Sequence, residues 1–123
     1  MPNFSFVLLY VEDPRASAPF YTTLTGQAPV EISETFAMLP LTNGIMLGLW
    51  ARETVEPVVT AAAGGSEIAF TVADKEALDE LYSDCLARQI VIVQKPVKMD
   101  FGYTFVFLDP DGNRLRVFVL AAS

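Results

Sequence analysis

Residues 6–50 and 67–120 follow one pattern twice, and a repeat of this length restricts the fold more than any other feature of the chain. Phe6-Val7-Leu8-Leu9-Tyr10-Val11-Glu12-Asp13 falls on Glu67-Ile68-Ala69-Phe70-Thr71-Val72-Ala73-Asp74, a shift of 61 from Phe6 to Glu67. In each copy an apolar run reaches Val, an Asp follows after one intervening residue, and a helix-like stretch begins. Within that stretch Phe20-Tyr21 meets Leu81-Tyr82 at the same shift. Farther on, Phe36 to Gly44 echoes Phe105 to Asn113; the shift there has grown to 69, which puts an insertion in the intervening hairpins. A period of about 60 residues is too long for a solenoid and implies two supersecondary modules that bury their apolar faces together. The cleft between two such modules is the expected place for a site.

The chain's 123 residues suffice for one domain. With 52 % hydrophobic and 19 % charged residues, the composition suits a core together with an apolar cavity, an oligomer interface, or both. The net charge of −7, with only eight scattered basic residues, argues against nucleic acid, whose binding rests on clustered Lys and Arg. The acidity serves solubility or draws in a cationic ligand, and charge alone does not choose between them. No apolar run approaches the roughly 20 residues of a membrane span, and Met1-Pro2-Asn3 lacks the basic start of a signal peptide. The single Cys85 precludes an intramolecular disulfide, and the expected compartment is the reducing cytoplasm.

Element by element, Phe4 to Val11 reads as a strand apolar on both faces and therefore buried. Asp13-Pro14 supplies an N-cap and a first-turn proline for a helix to about Leu24, with Ala16, Phe20 and Leu24 on one stripe. Pro19 removes a donor inside this helix, which predicts a bend or a late start, and Gly26 ends it. Short strands follow at Val30 to Ile32 and Phe36 to Leu41, with a hairpin signal at Thr42-Asn43-Gly44 leading into Ile45 to Trp50. Arg52 to Ser66, with Ala61-Ala62-Ala63-Gly64-Gly65, reads as a linker able to move. The second module repeats the order: a strand at Glu67 to Val72, and a helix capped by Asp74 and running to about Arg88. Strands at Val91 to Val97 and Tyr103 to Leu108, a tight turn at Asp109 to Asn113 and a last strand at Leu115 to Leu120 complete it. Cys85, among Leu81, Leu86 and Ala87, reads as core or interface filler. The whole is α+β: one domain of two βαβββ modules, about 4–51 and 66–120, joined by the linker 52–65.

In this order, Val7-Leu8-Leu9-Tyr10-Val11-Glu12-Asp13 running into Phe20-Tyr21, then Ile68-Ala69-Phe70-Thr71-Val72, then Phe107-Leu108-Asp109-Pro110-Asp111-Gly112-Asn113 and an apolar strand resemble the vicinal oxygen chelate superfamily. That superfamily includes glyoxalases, extradiol dioxygenases and bleomycin-resistance proteins. The resemblance covers almost the whole chain and implies two βαβββ modules forming a cup-shaped mixed sheet, commonly as a homodimer. It also implies metal ligands on the first and last strands of each module. At those places this chain has Phe6, Glu67 and Arg116, with Leu47 or Gly48 as the fourth, and it has no histidine. One carboxylate beside a guanidinium does not hold a divalent cation, so neither metal nor other cofactor is expected. Glu67 and Arg116 form a structural ion pair, or Glu67 receives a ligand's ammonium or Arg116 its carboxylate or phosphate; a slip of one residue in the alignment would turn both side chains away.

Aromatic and sulfur side chains complete the candidate pocket: Phe36, Met38, Met46 and Trp50 in the first module, Met99, Phe101 and Tyr103 in the second. Aromatic faces stack on planar or cationic groups, and Met adapts to irregular shapes. Core packing competes for each of them. Trp50 and the Phe101-Gly102-Tyr103 turn stand out because they lie at strand ends beside loops. The resemblance to the metal-free resistance branch then implies a drug-binding protein for antibiotic resistance. Such a protein sequesters an aromatic or cationic small molecule without converting it. The alternatives are a superfamily lyase or oxygenase with non-standard residues, one version using Glu67 as general base, and a metabolite-sensing module.

Overall fold

The structure, a computed structural model, describes residues 1–120. Its contacts divide into two compact units with the boundary between Ala61 and Ala62. Each has the order strand, helix, strand, strand, strand, and each builds its own four-stranded mixed sheet.

In the first unit β1 (Phe6–Val11) leads into α1 (Pro14–Thr25), followed by β2 (Glu31–Ile32), β3 (Phe36–Pro40) and β4 (Met46–Ala51). Asp13 caps α1 by accepting the Arg15 backbone N–H at 3.0 Å, and Gly26 closes it in the left-handed region at φ 74°. The helix starts at Pro14 despite Pro19, so the expected late start does not occur. Its buried stripe is Pro14, Ser17, Ala18 and Tyr21 rather than Ala16, Phe20 and Leu24. Ala16 is exposed, and Phe20 and Leu24 are half-buried. Starting the helix at Pro14 sets the inward phase at Pro14 and its 3.6-residue successors, and Ala16 falls outside it. Asn43 (φ 54°) and Gly44 (φ 80°) make the β3–β4 turn, as the Asn-Gly pair predicts.

β1 pairs parallel with β4, β4 antiparallel with β3, and β3 antiparallel with β2. Helix α1 packs on β3 and β4, and the side chains turned to that face are buried: Ala37, Leu39, Leu47 and Leu49. The all-apolar sequence of β1 predicts burial on both faces, and here the structure differs. Phe6, Leu8 and Tyr10, on its other face, are exposed. Helix α1 packs on β3 and β4, and at this edge strand even Val7 and Leu9 on the helix side are only half-buried. Beyond β4, Arg52–Thr54 form a single 3-10 turn, Val55 is buried, and the Arg52 guanidinium donates to the Ala61 carbonyl. Residues 52–61 of the expected linker fall in the first unit and 62–65 in the second.

The second unit repeats the plan with β5 (Glu67–Thr71), α2 (Lys75–Ala87), β6 (Ile92–Met99), β7 (Gly102–Leu108) and β8 (Arg114–Leu120). Asp74 caps α2 through the Ala77 N–H at 2.8 Å. The sheet order is β5-β8-β7-β6, with β5 and β8 parallel. Phe105, Phe107, Leu115 and Val117 are buried on the α2 side together with Leu78 and Cys85. Burial pushes the Cys85 thiol up from its ordinary range, as suits an inert core thiol. The Asp109-Pro110-Asp111-Gly112-Asn113 turn is held by Asp109, whose carboxylate accepts from the backbone N–H groups of Asp111 and Asn113 and from the Asn113 amide at 2.8–2.9 Å. Among the described residues no helix is long and apolar enough to cross a membrane.

The pairing registers correct the repeat by one residue. Leu8 pairs with Gly48 in the first unit, and Ala69, its counterpart 61 residues on, pairs with Arg116. Gly48 and Arg116 are therefore equivalent at a shift of 68, not 69, and Gly44 falls on Gly112 in the two turns. The sequence match of Phe36 with Phe105 favours the wrong shift because two apolar strands slide past one another without losing similarity. The register assigns the fourth family position to Gly48 rather than Leu47.

Candidate functional site

Residues directly opposite in a ladder point to the same face. In the first unit the register therefore gathers Phe6, Leu8 and Tyr10 of β1, Met46, Gly48 and Trp50 of β4, and Phe36 and Met38 of β3 on the face away from α1. Phe6, Leu8, Phe36 and Trp50 line an open groove of about 390 Å³. Ligand sites for drug-sized molecules span roughly 300–1,000 Å³. The Trp50 ring meets Phe36 edge to face at 6.5 Å and 81°, and Tyr10 at 6.4 Å and 73°. Of the residues expected in a pocket, Phe6, Phe36 and Trp50 come together here. Met38 and Met46 share the face but do not line the groove. Leu8 is an addition that the sequence reading misses, though strict alternation from Phe6 finds it and Tyr10; Gly48, one of the two candidates for the fourth family position, lies on the same face.

The corresponding face of the second unit has a different chemistry. Glu67, Ala69 and Thr71 stand where the first unit has Phe6, Leu8 and Tyr10, and Arg114, Arg116 and Phe118 stand where it has Met46, Gly48 and Trp50. Glu67 and Arg116 do pair. The guanidinium donates from Nε to Oε1 at 2.8 Å and from Nη2 to Oε2 at 3.1 Å. Arg114 adds a second contact to Oε2 at 2.8 Å. Arg116 Nη1 donates to Gln94 Oε1 and Thr104 Oγ1, so this guanidinium is bonded on all three nitrogens. The pair is less enclosed than its family position suggests: Glu67 keeps 29 % of its side-chain surface and Arg116 17 %.

The Arg116 hydrogen bonds, aided by the charges of Arg116 and Arg114 and opposed by burial, hold the Glu67 carboxyl below its ordinary value of 4.5. A depressed carboxyl stabilises the fold fully above its unfolded value, and that contribution is lost as the pH falls from 4.5 through the lower folded value. Removing the carboxylate strands two neighbouring cations. Glu67→Ala is expected to cost about 1–3 kcal/mol, less than the ~3–5 of a fully buried pair. The Glu67→Ala/Arg116→Met double mutant should be at least as stable as Glu67→Ala, with urea denaturation as the measurement. Additive losses would refute this coupling.

Phe101 packs edge to face on Phe118 at 5.8 Å, and the Arg116 guanidinium lies 5.8 Å from the Phe101 ring. Met99 is exposed at the end of β6, its sulfur accepting weakly from Gln94 Nε2 at 3.9 Å. Tyr103 does not belong with them. It alternates with Thr104 and faces α2, where its hydroxyl donates to Asp79 Oδ1 at 2.8 Å and Lys75 sits 5.3 Å above its ring. That hydrogen bond, with some burial and the Asp79 charge, raises the phenol above its ordinary range. Gly102, between Phe101 and Tyr103, takes φ 144°, and this turn leaves the two aromatics on opposite sides.

The donor set does not fit a metal ion. Phe6 and Gly48 carry no ligating atom, Arg116 is a cation, and both oxygens of Glu67 are engaged by guanidinium groups. Among the described residues no group of three His, Cys, Asp or Glu side chains converges.

Twin βαβββ units, each with its own four-stranded mixed sheet, are the architecture of the glyoxalase and bleomycin-resistance fold. Residues 3–117 match the model of the Glyoxalase/Bleomycin resistance protein/Dioxygenase superfamily, and the chain belongs to that superfamily. It is 27 % identical over 113 residues to the phenazine antibiotic resistance protein EhpR of Enterobacter agglomerans, covering 89 % of this chain and 86 % of that one. The solution structure of protein ATC0852 from Agrobacterium tumefaciens superposes with a TM-score of 0.89 at 46 % identity, over 99 % of this chain and 100 % of that one. A glyoxalase/bleomycin resistance protein/dioxygenase family enzyme from Burkholderia phytofirmans gives 0.83 at 25 % identity, over 98 % and 100 %.

Proposed function

We propose that the chain binds a planar aromatic small molecule without converting it, as a resistance protein does when it holds a drug away from its target. The observation that carries this reading is the groove lined by Phe6, Leu8, Phe36 and Trp50. Such a surface offers stacking and apolar burial and no group that could act on a bound molecule. Superfamily membership and the phenazine resistance relative support a resistance-like role. Phenazine, a flat tricyclic aromatic, is the probe that follows from them.

Aromatic character weighs more than positive charge in this reading. The net charge of −7 favours the approach of a cation, but among the described residues no carboxylate lines the groove. Glu67 as a general base fits poorly, because a carboxylate held below its ordinary range by two guanidinium groups is a weak proton acceptor. The reading includes action in the cytoplasm, no cofactor, and assembly as a homodimer.

Calorimetric titration of the purified protein with phenazine tests the proposal. Saturable binding with one site per chain, and a melting temperature that rises with phenazine concentration, are expected. Absence of both heat and thermal shift up to the solubility limit would overturn it.

A further inference from the structure

We infer that Gly48 sets the shape of the aromatic groove and thereby determines which ligands it accepts; this rests on the aromatic-binding reading above. A β-carbon built at Gly48 would lie 2.6 Å from Leu8 Cδ2, 2.7 Å from Phe36 Cζ and 3.0 Å from Phe36 Cε1. Leu8 and Phe36 flank β4 from β1 and β3, and both line the groove. The ends of their side chains therefore occupy the space that any side chain at position 48 would need, and together they form the groove's floor.

Two observations separate this from an ordinary strand glycine. Gly48 is not among the glycines at positive φ, so its backbone makes no demand that alanine could not meet. The topologically equivalent position of the second unit carries Arg116, so the sheet itself tolerates a long side chain there. A glycine inside a strand is destabilising on its own account and often marks a close approach by another group. Here that group is the pair of groove side chains.

The atoms that would clash are the ends of flexible side chains, and Leu8 is already exposed. They can swing away from the sheet, and the groove that both of them line is the open space beside them. An alanine at position 48 is therefore accommodated by the fold at the expense of the ligand's space. A shallow, flat floor suits a fused planar ring; a floor raised by the Phe36 ring does not.

The test compares wild type, Gly48→Ala and Gly48→Val by phenazine calorimetry, by melting temperature and by ligand-free emission of Trp50, the only tryptophan. Gly48→Ala should bind phenazine at least ten-fold more weakly, melt close to wild type, and shift the Trp50 emission because Phe36 changes its contact with that ring. Gly48→Val should lose more. Wild-type affinity in a folded Gly48→Ala protein overturns the inference and leaves the aromatic reading standing. If wild type itself fails to bind phenazine, that reading falls, and the ligand-free emission then decides on Gly48: an unchanged spectrum in Gly48→Ala refutes its role. Should Gly48→Ala fold poorly, the same substitution is made in a Leu8→Ala/Phe36→Ala background. There it should leave the emission unchanged and the melting temperature unchanged or raised, and a penalty that persists overturns the inference.

Discussion

Replacing Trp50 by alanine is expected to lower the affinity for phenazine by about 100-fold, the equivalent of ~2.7 kcal/mol. Burying an aromatic side chain against a ligand is worth about 1.5–3 kcal/mol, and an edge-to-face or stacked ring contact adds a further ~0.5–1.5. Trp50 is placed to supply both, because it lines the groove and already holds Phe36 and Tyr10 at edge-to-face distances. Trp50→Phe should retain most of the affinity, since it keeps a ring at the same place. Calorimetry on both variants checks this. Equal losses in the two would mean that ring stacking is not the source of affinity, and no loss in either would move the ligand away from the groove.

Phe105→Ala should have the largest effect on stability. Phe105 is fully buried, stacks on Phe107 at 5.5 Å, and meets Tyr82 of α2 edge to face at 5.4 Å. Large-to-small changes at such a site cost about 3–5 kcal/mol, from lost burial and the cavity left behind. Domains of this size are stable by only about 5–15 kcal/mol. The variant should therefore unfold at a much lower urea concentration, with little change in the slope of the transition. A midpoint near that of wild type would show that α2 and its sheet collapse to refill the space.

Much of this architecture is legible in the chain because local chemistry and repetition agree. Asp13-Pro14 and Asp74 cap the helices their spacing predicts, and Asn43-Gly44 and Asp109 to Asn113 turn where their composition requires. The repeat predicts two βαβββ units. What the chain hides is which way particular side chains face. β1 is apolar at every position from Phe6 to Val11, so no alternation distinguishes its covered side from its open one. The same uniformity hides the one-residue difference between shifts of 69 and 68, and in a sheet one residue exchanges the two faces. Tyr103 resembles a pocket residue by its neighbourhood to Phe101, but the Gly102 turn and the Asp79 carboxylate direct it to α2. Gly48 is marked in the chain only as one of two candidates, with Leu47, for the fourth family position, and not as part of an aromatic groove. An absent side chain becomes informative only when Leu8 and Phe36, distant in sequence, are seen to fill its place.

The burial of Cys85 has a practical consequence. As the chain's only cysteine, shielded by its helix and with its thiol disfavoured from ionising, it is a poor target for maleimides and disulfide-forming reagents. A cysteine introduced at Met38 or Met46, on the open face beside the groove, would be the chain's dominant reactive thiol. Libraries of disulfide-bearing fragments could then be captured covalently on that face, so that weak binders are selected by their proximity to the groove rather than by affinity alone.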